Sequence, residues 1–337
     1  MINRPSYRIF ISGAQGFVGQ HLVKTFLKSG FEVIANPIDI CDQNQIKNFF
    51  NEQKPFDYAF NLAGISSVGE CARNPLLAYQ VNGFAAGLLY EKLAKKSEKT
   101  KFVFFSTAQV YDFSKLSGQA SGPTGIQPNV PVLAIDESFP LGPQNIYGKT
   151  KLTGETILQD VSTQFPNPIL ALRLFNHVHM SQPPHFFLPS VYQQLLNAKA
   201  GKLNKLILGN LELYRDFSPL KNLLDLLEHI IDLDWSNTDF KNGNFNIFNV
   251  GSGLEYKLKD LVEHLMVRLQ VKVPIEIDPK LIRPEDPERL ICDCSKLRRW
   301  VSTPLGRSFP PQPKQESLSD NKEKIDRFLT DFLSDLA

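Results

Sequence analysis

Hydrophobic positions in the first half of the chain alternate between two periods. Arg8-Ile-Phe-Ile-Ser12 is a short apolar run of strand length, whereas Val18, Leu22, Val23, Phe26 and Leu27 recur at helical spacing over 17–29 until Gly30 ends the stripe. The same reading predicts strands over 31–35, 58–62, 101–106 and 169–174, and helices over 43–53, 76–96 and 147–165. Such strand-helix-strand repeats predict an α/β fold built on a doubly wound parallel sheet, with ligands at the carboxyl ends of the strands. Residues 113–143 break the pattern with clustered Gly, Pro and Ser, so a long surface loop is expected there, of the kind that covers a site. Downstream the pattern is less regular, with helices near 189–200, 222–233 and 258–269. A Pro-rich stretch, 309–314, precedes a last amphipathic helix over about 318–336.

Composition adds boundaries rather than identity. The 337 residues, 42% hydrophobic and 21% charged, have room for one large domain or two. With 37 basic and 35 acidic residues the net charge is +2, which gives no reason to expect nucleic acid or a membrane surface as partner. An anionic ligand would need a local basic site. No stretch approaches the ~18 apolar residues of a membrane span, and the chain reads as soluble and cytoplasmic. Cys41, Cys71, Cys292 and Cys294 are too few and too irregular for a disulfide framework and read as reduced thiols. Cys292-Asp-Cys294 reads as two strand residues pointing to one face. Neither it nor His177, His179 and His185 has partners at metal-ligand spacing, so no metal is expected.

Two motifs carry chemistry. Gly13-Ala-Gln15-Gly16-Phe17-Val18-Gly19 lies between the first strand and the first helix, where a tight turn, close approach to a pyrophosphate and close helix packing each require a missing side chain. Far downstream, Tyr147 and Lys151 stand four residues apart at a helix entry and so share one face. A neighbouring ammonium favours the phenolate and is expected to lower a Tyr147 pKa that starts near ~10. A dinucleotide loop combined with such a pair predicts hydride transfer.

Glycines spaced Gly-x-x-Gly-x-x-Gly, with Tyr-x-x-x-Lys downstream, resemble the extended short-chain dehydrogenase/reductase superfamily, whose fold is Rossmann-like with a smaller α/β substrate-binding region. The resemblance covers most of the chain. It implies a 1–174 unit that is mainly NAD(P)-binding, with some later segments returning to it, a 175–310 region mainly for substrate, and 311–337 as linker and C-terminal helix. Asp39 and Ile40 match the position that contacts adenine, Leu62-Ala63-Gly64 the cofactor-lining turn, and Asn82 a helix asparagine that supports the active-site strand. Ala35-Asn36-Pro37 lacks the acid that holds an adenosine ribose in many relatives, which leaves NAD and NADP both open. Thr107 matches the Ser/Thr that hydrogen-bonds the reacting oxygen beside Tyr147. Gln109 stands where sugar-nucleotide 4,6-dehydratases carry a glutamate base; an amide cannot take a proton, so dehydration is not expected.

The second half resembles the GDP-mannose 4,6-dehydratase and GDP-4-keto-6-deoxymannose reductase group through Arg173-Leu-Phe-Asn176-His177, Gly209-Asn210 with Arg215-Asp-Phe, and Arg283-Pro-Glu285. There the resemblance implies that Asn176, Arg215 and Arg283 bind a diphosphate and Glu285 a ribose. Val-His-Met-Ser-Gln-Pro-Pro after His177, and Ser218-Pro-Leu-Lys-Asn222 after Phe217, depart from the group's pattern around the substrate. The implied activity is NAD(P)H-dependent reduction of the C4 ketone of a nucleotide-linked 4-keto-6-deoxy sugar, GDP-linked, with Tyr147 as proton donor, Lys151 and Thr107 beside it and Gln109 on the sugar. A 4-epimerase with retained NAD and a non-catalytic dinucleotide sensor are the alternatives. A homodimer through the helices 76–96 and 147–165 is also implied, with Leu88, Leu89, Leu93, Leu152, Ile157 and Leu158 as apolar contributors.

Overall fold

The computed structural model describes residues 6–35, 38–116, 134–235, 244–283, 286–301 and 321–334. The Pro-rich stretch 309–314, the loop segment 117–133, positions 36 and 37 and the predicted ligand Glu285 lie outside the described residues.

The first half runs β1 (Arg8–Ser12), α1 (Phe17–Lys28), β2 (Glu32–Ile34), α2 (Gln43–Glu52), β3 (Tyr58–Asn61), α3 (Val68–Arg73), α4 (Pro75–Tyr79), a π-helical turn (Gln80–Phe84), α5 (Ala85–Lys96), β4 (Lys101–Thr107), α6 (Ile146–Ser162) and β5 (Ile169–Leu174). Then come β6 (Asn176–Val178), α7 (Phe187–Lys199), β7 (Leu206–Leu208), β8 (Tyr214–Pro219), α8 (Leu220–Ile231), β9 (Phe245–Val250), β10 (Glu255–Lys257), α9 (Leu258–Leu269), β11 (Ile275–Ile277), β12 (Arg289–Leu290), α10 (Ser295–Val301) and α11 (Asn321–Ser334).

Among the described residues, one six-stranded sheet has the order β2-β1-β3-β4-β5-β9, and each of its pairs is parallel. Alternate residues of β1 serve opposite faces: Ile9 and Ile11 pack with Leu22, Phe26, Leu223, Ile230 and Trp300 of α1, α8 and α10, while Phe10 packs with Phe49, Leu89 and Leu158 of α2, α5 and α6. The result is the Rossmann-like sandwich the strand-helix alternation predicts. Strand order reverses between β1 and β3, so their carboxyl ends open a crevice for a ligand.

A smaller layer is centred on β8, which pairs with β6, β10 and β12; β7 pairs with β11. Helices α7, α9 and α11 cover it through Val191, Leu195, Leu261, Leu265, Ile325 and Phe328. The chain returns from this layer to the large sheet twice, through α8 and β9 and again through α10.

Two expectations are corrected. The helix predicted over 76–96 is present and continuous, but it is not α-helical throughout: α4 and α5 are joined by one π turn, which holds buried Asn82. Cys292 and Cys294 do not share a strand. Cys292 bridges to Ile135 and Cys294 leads into α10; both are buried, and all four cysteines are free thiols.

Candidate active site

The turn after β1 is shaped by glycines. Gly13 has φ +70°, and a Cβ there would lie 2.4 Å from Ala63 N; a Cβ on Gly19 would lie 2.3 Å from Gly13 O. Gly16 donates its N–H to Gly13 O at 2.9 Å and caps α1 with no side-chain acceptor, so first-turn N–H groups of a twelve-residue helix remain for an anion. Ser12 and Asn61 lock the ends of β1 and β3 together, Oγ donating to Oδ1 at 2.6 Å. This cradle fits a dinucleotide pyrophosphate. Among the other predicted cofactor residues, Ile40 is buried in the sheet's second core, while exposed Asp39 accepts the N–H of Cys41. Leu62, Ala63 and Gly64 follow β3 beside the cradle.

Gly64 opens the way to the second motif. A Cβ on it would stand 2.9 Å from Asn82 Oδ1 and 3.2 Å from Lys151 Nζ. Asn82 uses its whole amide: Oδ1 accepts from Ile65 N at 2.8 Å, and Nδ2 donates to Ile65 O at 3.0 Å and to Thr150 Oγ1 at 2.9 Å. It therefore ties the turn after β3 to the helix that carries Lys151. Cys71, buried in α3, donates its thiol proton to Ile65 O at 3.3 Å.

Lys151 is buried and donates to Phe105 O of β4 at 2.8 Å, its one hydrogen-bond acceptor among the described residues. Burial lowers its pKa to about 8, against the opposing pull of Cys71 and Glu155. Tyr147 is pushed up to about 12 by burial, with a hydrogen bond to Thr107 acting the other way. The expected lowering of the Tyr147 pKa by Lys151 is therefore not found: the ammonium is committed to a β4 carbonyl, and desolvation dominates the phenol. The structure does bring Thr107 and Tyr147 together. Gln109 follows in the 3-10 turn Ala108–Val110, its Oε1 accepting from Asn145 Nδ2 at 2.9 Å.

Beneath these residues lies a buried ionic support. Arg173 of β5 donates to both oxygens of Glu155 on α6, at 3.0 and 2.7 Å, and stacks on Tyr111. Ser106 donates to the same carboxylate, and Tyr111 donates to Asn249 Oδ1 at 2.6 Å. Asn249 in turn donates to Ile135 O and, through its backbone, to Glu137, which pins the returning end of the long loop.

On the substrate side, Asn176 of β6 donates to Asp216 O at 3.1 Å. Arg215 of β8 is buried; its Nη1 donates to the carbonyls of Tyr214 and Pro287 at 2.8 Å, and its Nη2 lies 3.6 Å from Asp286. Burial lowers the Arg215 pKa, Asp286 opposes this, and exposed Arg283 adds a smaller repulsion, so the two cations are near enough to interact electrostatically. Such a pair is met by a multiply charged anion. His177 stays neutral at physiological pH, its pKa lowered to about 4 by burial.

The chain matches the sequence profile of the family described as GDP-mannose 4,6 dehydratase over residues 35–302. The chain belongs to this family. Within reach are relatives of more than one activity. It is 25% identical over 288 residues, 84% of this chain and 87% of the relative, to a GDP-6-deoxy-D-mannose reductase of Pseudomonas aeruginosa. It is 28% identical over 336 residues, 85% of this chain and 90% of the relative, to a UDP-glucose 4-epimerase of Caenorhabditis elegans. Its fold resembles that of the Pseudomonas aeruginosa protein RMD, solved with NADPH, at a TM-score of 0.74 and 23% identity, covering 97% of this chain and 99% of that one. A UDP-glucose 4-epimerase of Thermotoga maritima, solved with UDP-glucose, gives a TM-score of 0.71 at 20% identity, covering 96% and 99%.

Several residues of this family member's site escape sequence reasoning. Asn145 was findable as a cap-forming residue just ahead of an apolar helix. Glu155, Cys71 and Asp216 carry no local signal, because only the fold brings them to their partners.

Proposed function

We propose that this family member reduces the C4 ketone of a nucleotide-linked 4-keto-6-deoxy sugar, GDP-linked, with NAD(P)H as cosubstrate. The observation that carries the reading is the approach of Thr107 to the Tyr147 phenol at the end of β4, beside the buried ammonium of Lys151. The glycine cradle fits the pyrophosphate of a nicotinamide dinucleotide, which supplies the hydride when bound. Tyr147, with a pKa of about 12, holds its proton throughout the physiological range and delivers it to the alkoxide forming at C4. Thr107 orients the carbonyl oxygen, and Lys151 directs its remaining protons toward the nicotinamide ribose hydroxyls. Asn176, Arg215 and Arg283 hold the diphosphate, with Glu285 assigned to the ribose, and Gln109 meets the sugar.

An amide at position 109 that already accepts a hydrogen bond from Asn145 offers no base for elimination, which supports reduction over dehydration. The epimerase relatives support a second reading, in which the same Thr, Tyr and Lys oxidise and re-reduce C4 with a retained cofactor. The four free cysteines support a reducing, cytoplasmic setting; among the described residues no helix is long and apolar enough to cross a membrane. We further assign a homodimer through α5 and α6.

The test is a substrate panel. Purified protein is mixed with NADPH or NADH and GDP- or UDP-linked 4-keto-6-deoxy sugars, and the reduced-nicotinamide absorbance is followed. The reading expects cofactor consumption with at least one GDP-linked ketone. No turnover with any member removes it, while tightly bound NAD and C4 epimerisation without net oxidation favour the second reading.

A further inference from the structure

We propose that Asn145 fixes the side-chain amide of Gln109 with its nitrogen turned to the substrate, making Gln109 a specificity-determining donor that selects an uncharged sugar oxygen over an ammonium. The inference rests on the nucleotide-sugar reading above and names the atom and the chemistry of the contact.

The orientation follows from a chain of three amides. The N–H of Gly148 can only donate, and it meets the Asn145 side chain at 2.8 Å, so the atom it meets is the oxygen Oδ1. The other end of that amide is then Nδ2, which meets Gln109 at 2.9 Å; facing a donor, the Gln109 atom is Oε1. Nε2 is left over, and among the described residues no acceptor meets it. A backbone group thus decides both side-chain orientations.

Position ties this donor to the reacting centre. Gln109 donates its own backbone N–H to Thr107 Oγ1 at 3.2 Å, and Thr107 is hydrogen-bonded to Tyr147. Asn145 caps α6 two residues before Tyr147. Half-buried Gln109 is therefore tied to two residues near the proton donor, to Thr107 through its backbone and to Asn145 through its side chain. Little slack exists in this arrangement: a Cβ on Gly148 would lie 2.2 Å from Gln109 O and 2.9 Å from Pro143 Cβ, so the first turn of α6 rests directly on the 3-10 turn.

Polarity runs one way along the chain. Each N–H donates into the next carbonyl, starting at a helix N-terminus with its partial positive charge, so the terminal Nε2–H is a strengthened donor. It suits a hydroxyl or carbonyl oxygen of the sugar and repels a protonated amino substituent. Asn145 acts through Gln109 and is a positioning residue.

Calorimetric titration of the full chain with GDP, GDP-mannose and a GDP-sugar bearing an amino group tests this. In the wild type, GDP-mannose is expected to bind tighter than GDP. Gln109→Ala should weaken GDP-mannose about three- to tenfold, the loss of one hydrogen bond, and leave GDP and NADPH affinities unchanged. Asn145→Asp keeps the cap on Gly148 but presents only acceptors to Gln109, so the amide inverts; GDP-mannose should weaken to the same extent and the discrimination against the amino sugar should relax. The double variant should lose no more than either single one. Asn145→Ser, which keeps the cap without reaching Gln109, should fall between wild type and Asn145→Asp. If Gln109→Ala weakens GDP-mannose while both Asn145 variants bind as wild type, Asn145 does not orient Gln109 and the inference is overturned. Unchanged binding in Gln109→Ala overturns it as well. A wild type that binds none of the three ligands overturns the GDP-sugar reading itself, a distinct result.

Discussion

Lys151 and Tyr147 divide the chemistry between a group that titrates near neutrality and one that does not. Lys151 loses its charge around pH 8 and Tyr147 holds its proton to about 12, so the alkaline fall of kcat/KM is expected near pH 8 and belongs to the lysine. In Lys151→Arg the residual activity should lack that fall, because a guanidinium stays charged; a limb still at pH 8 would assign it elsewhere. Tyr147→Phe should lose about a hundredfold or more in kcat with NADPH affinity retained. The same shift has a stability consequence. The folded Lys151 pKa lies below its unfolded value of 10.5, so between about pH 8 and 10.5 the unfolded chain binds more protons and stability rises with pH. Lys151→Met should therefore be more stable than wild type at pH 7, by about 1–3 kcal/mol, with the difference fading as pH passes 10.5 in parallel denaturant melts. Tyr147 and Lys151 were legible in the sequence as a pair on one helix face, but their electrostatics were not. Spacing places two groups together; burial and the Phe105 carbonyl set their charges.

At the scale of elements, α6 is held at its head by Asn145 and Gly148 and along its length by Glu155. Gly148→Ala should push the helix off the 3-10 turn, costing about 2 kcal/mol or more and most of the activity, measured together by melting and turnover. Removing one partner of the buried Arg173 and Glu155 pair leaves an uncompensated charge, so Arg173→Met or Glu155→Leu alone should cost about 3–5 kcal/mol. The double variant should recover a large part of that cost; strict additivity would show that the pair acts independently. Strand and helix periods marked β1, β5 and α9 at their observed bounds, because apolar runs there agree with their burial. The π turn at Asn82 and the short helix α3 were not legible, since polar contacts between sequence-distant residues shape them. Glycine spacing marked the cradle after β1, yet the reasons became visible only in the fold, with Gly13 against Ala63 and Gly19 against Gly13 O.

Over the whole molecule, the apolar face of α5 and α6 sorts into two sets. Leu89, Leu93 and Leu158 are buried against the large sheet, whereas Leu88 and Ile157 line a surface groove with Phe84, and Phe84 and Leu76 are 58% and 84% exposed. The homodimer assigned to this face predicts that Phe84→Glu sediments as a monomer while wild type sediments as a dimer at micromolar concentration. Monomeric wild type would remove that assignment. The sheet's crevice, the glycine cradle, the Thr107 and Tyr147 contact and the Arg215 and Arg283 pair come from widely separated stretches of chain, and the central claim is that they serve one hydride transfer to a sugar ketone. The most direct measurement is the fate of the label when the protein turns over a GDP-linked 4-keto-6-deoxy sugar with nicotinamide cofactor deuterated at the transferable C4 position. Each cofactor oxidised should leave one deuterium on the sugar C4, and Tyr147→Phe should transfer almost none. Epimerised sugar free of deuterium, with the reduced cofactor unchanged, would contradict the account.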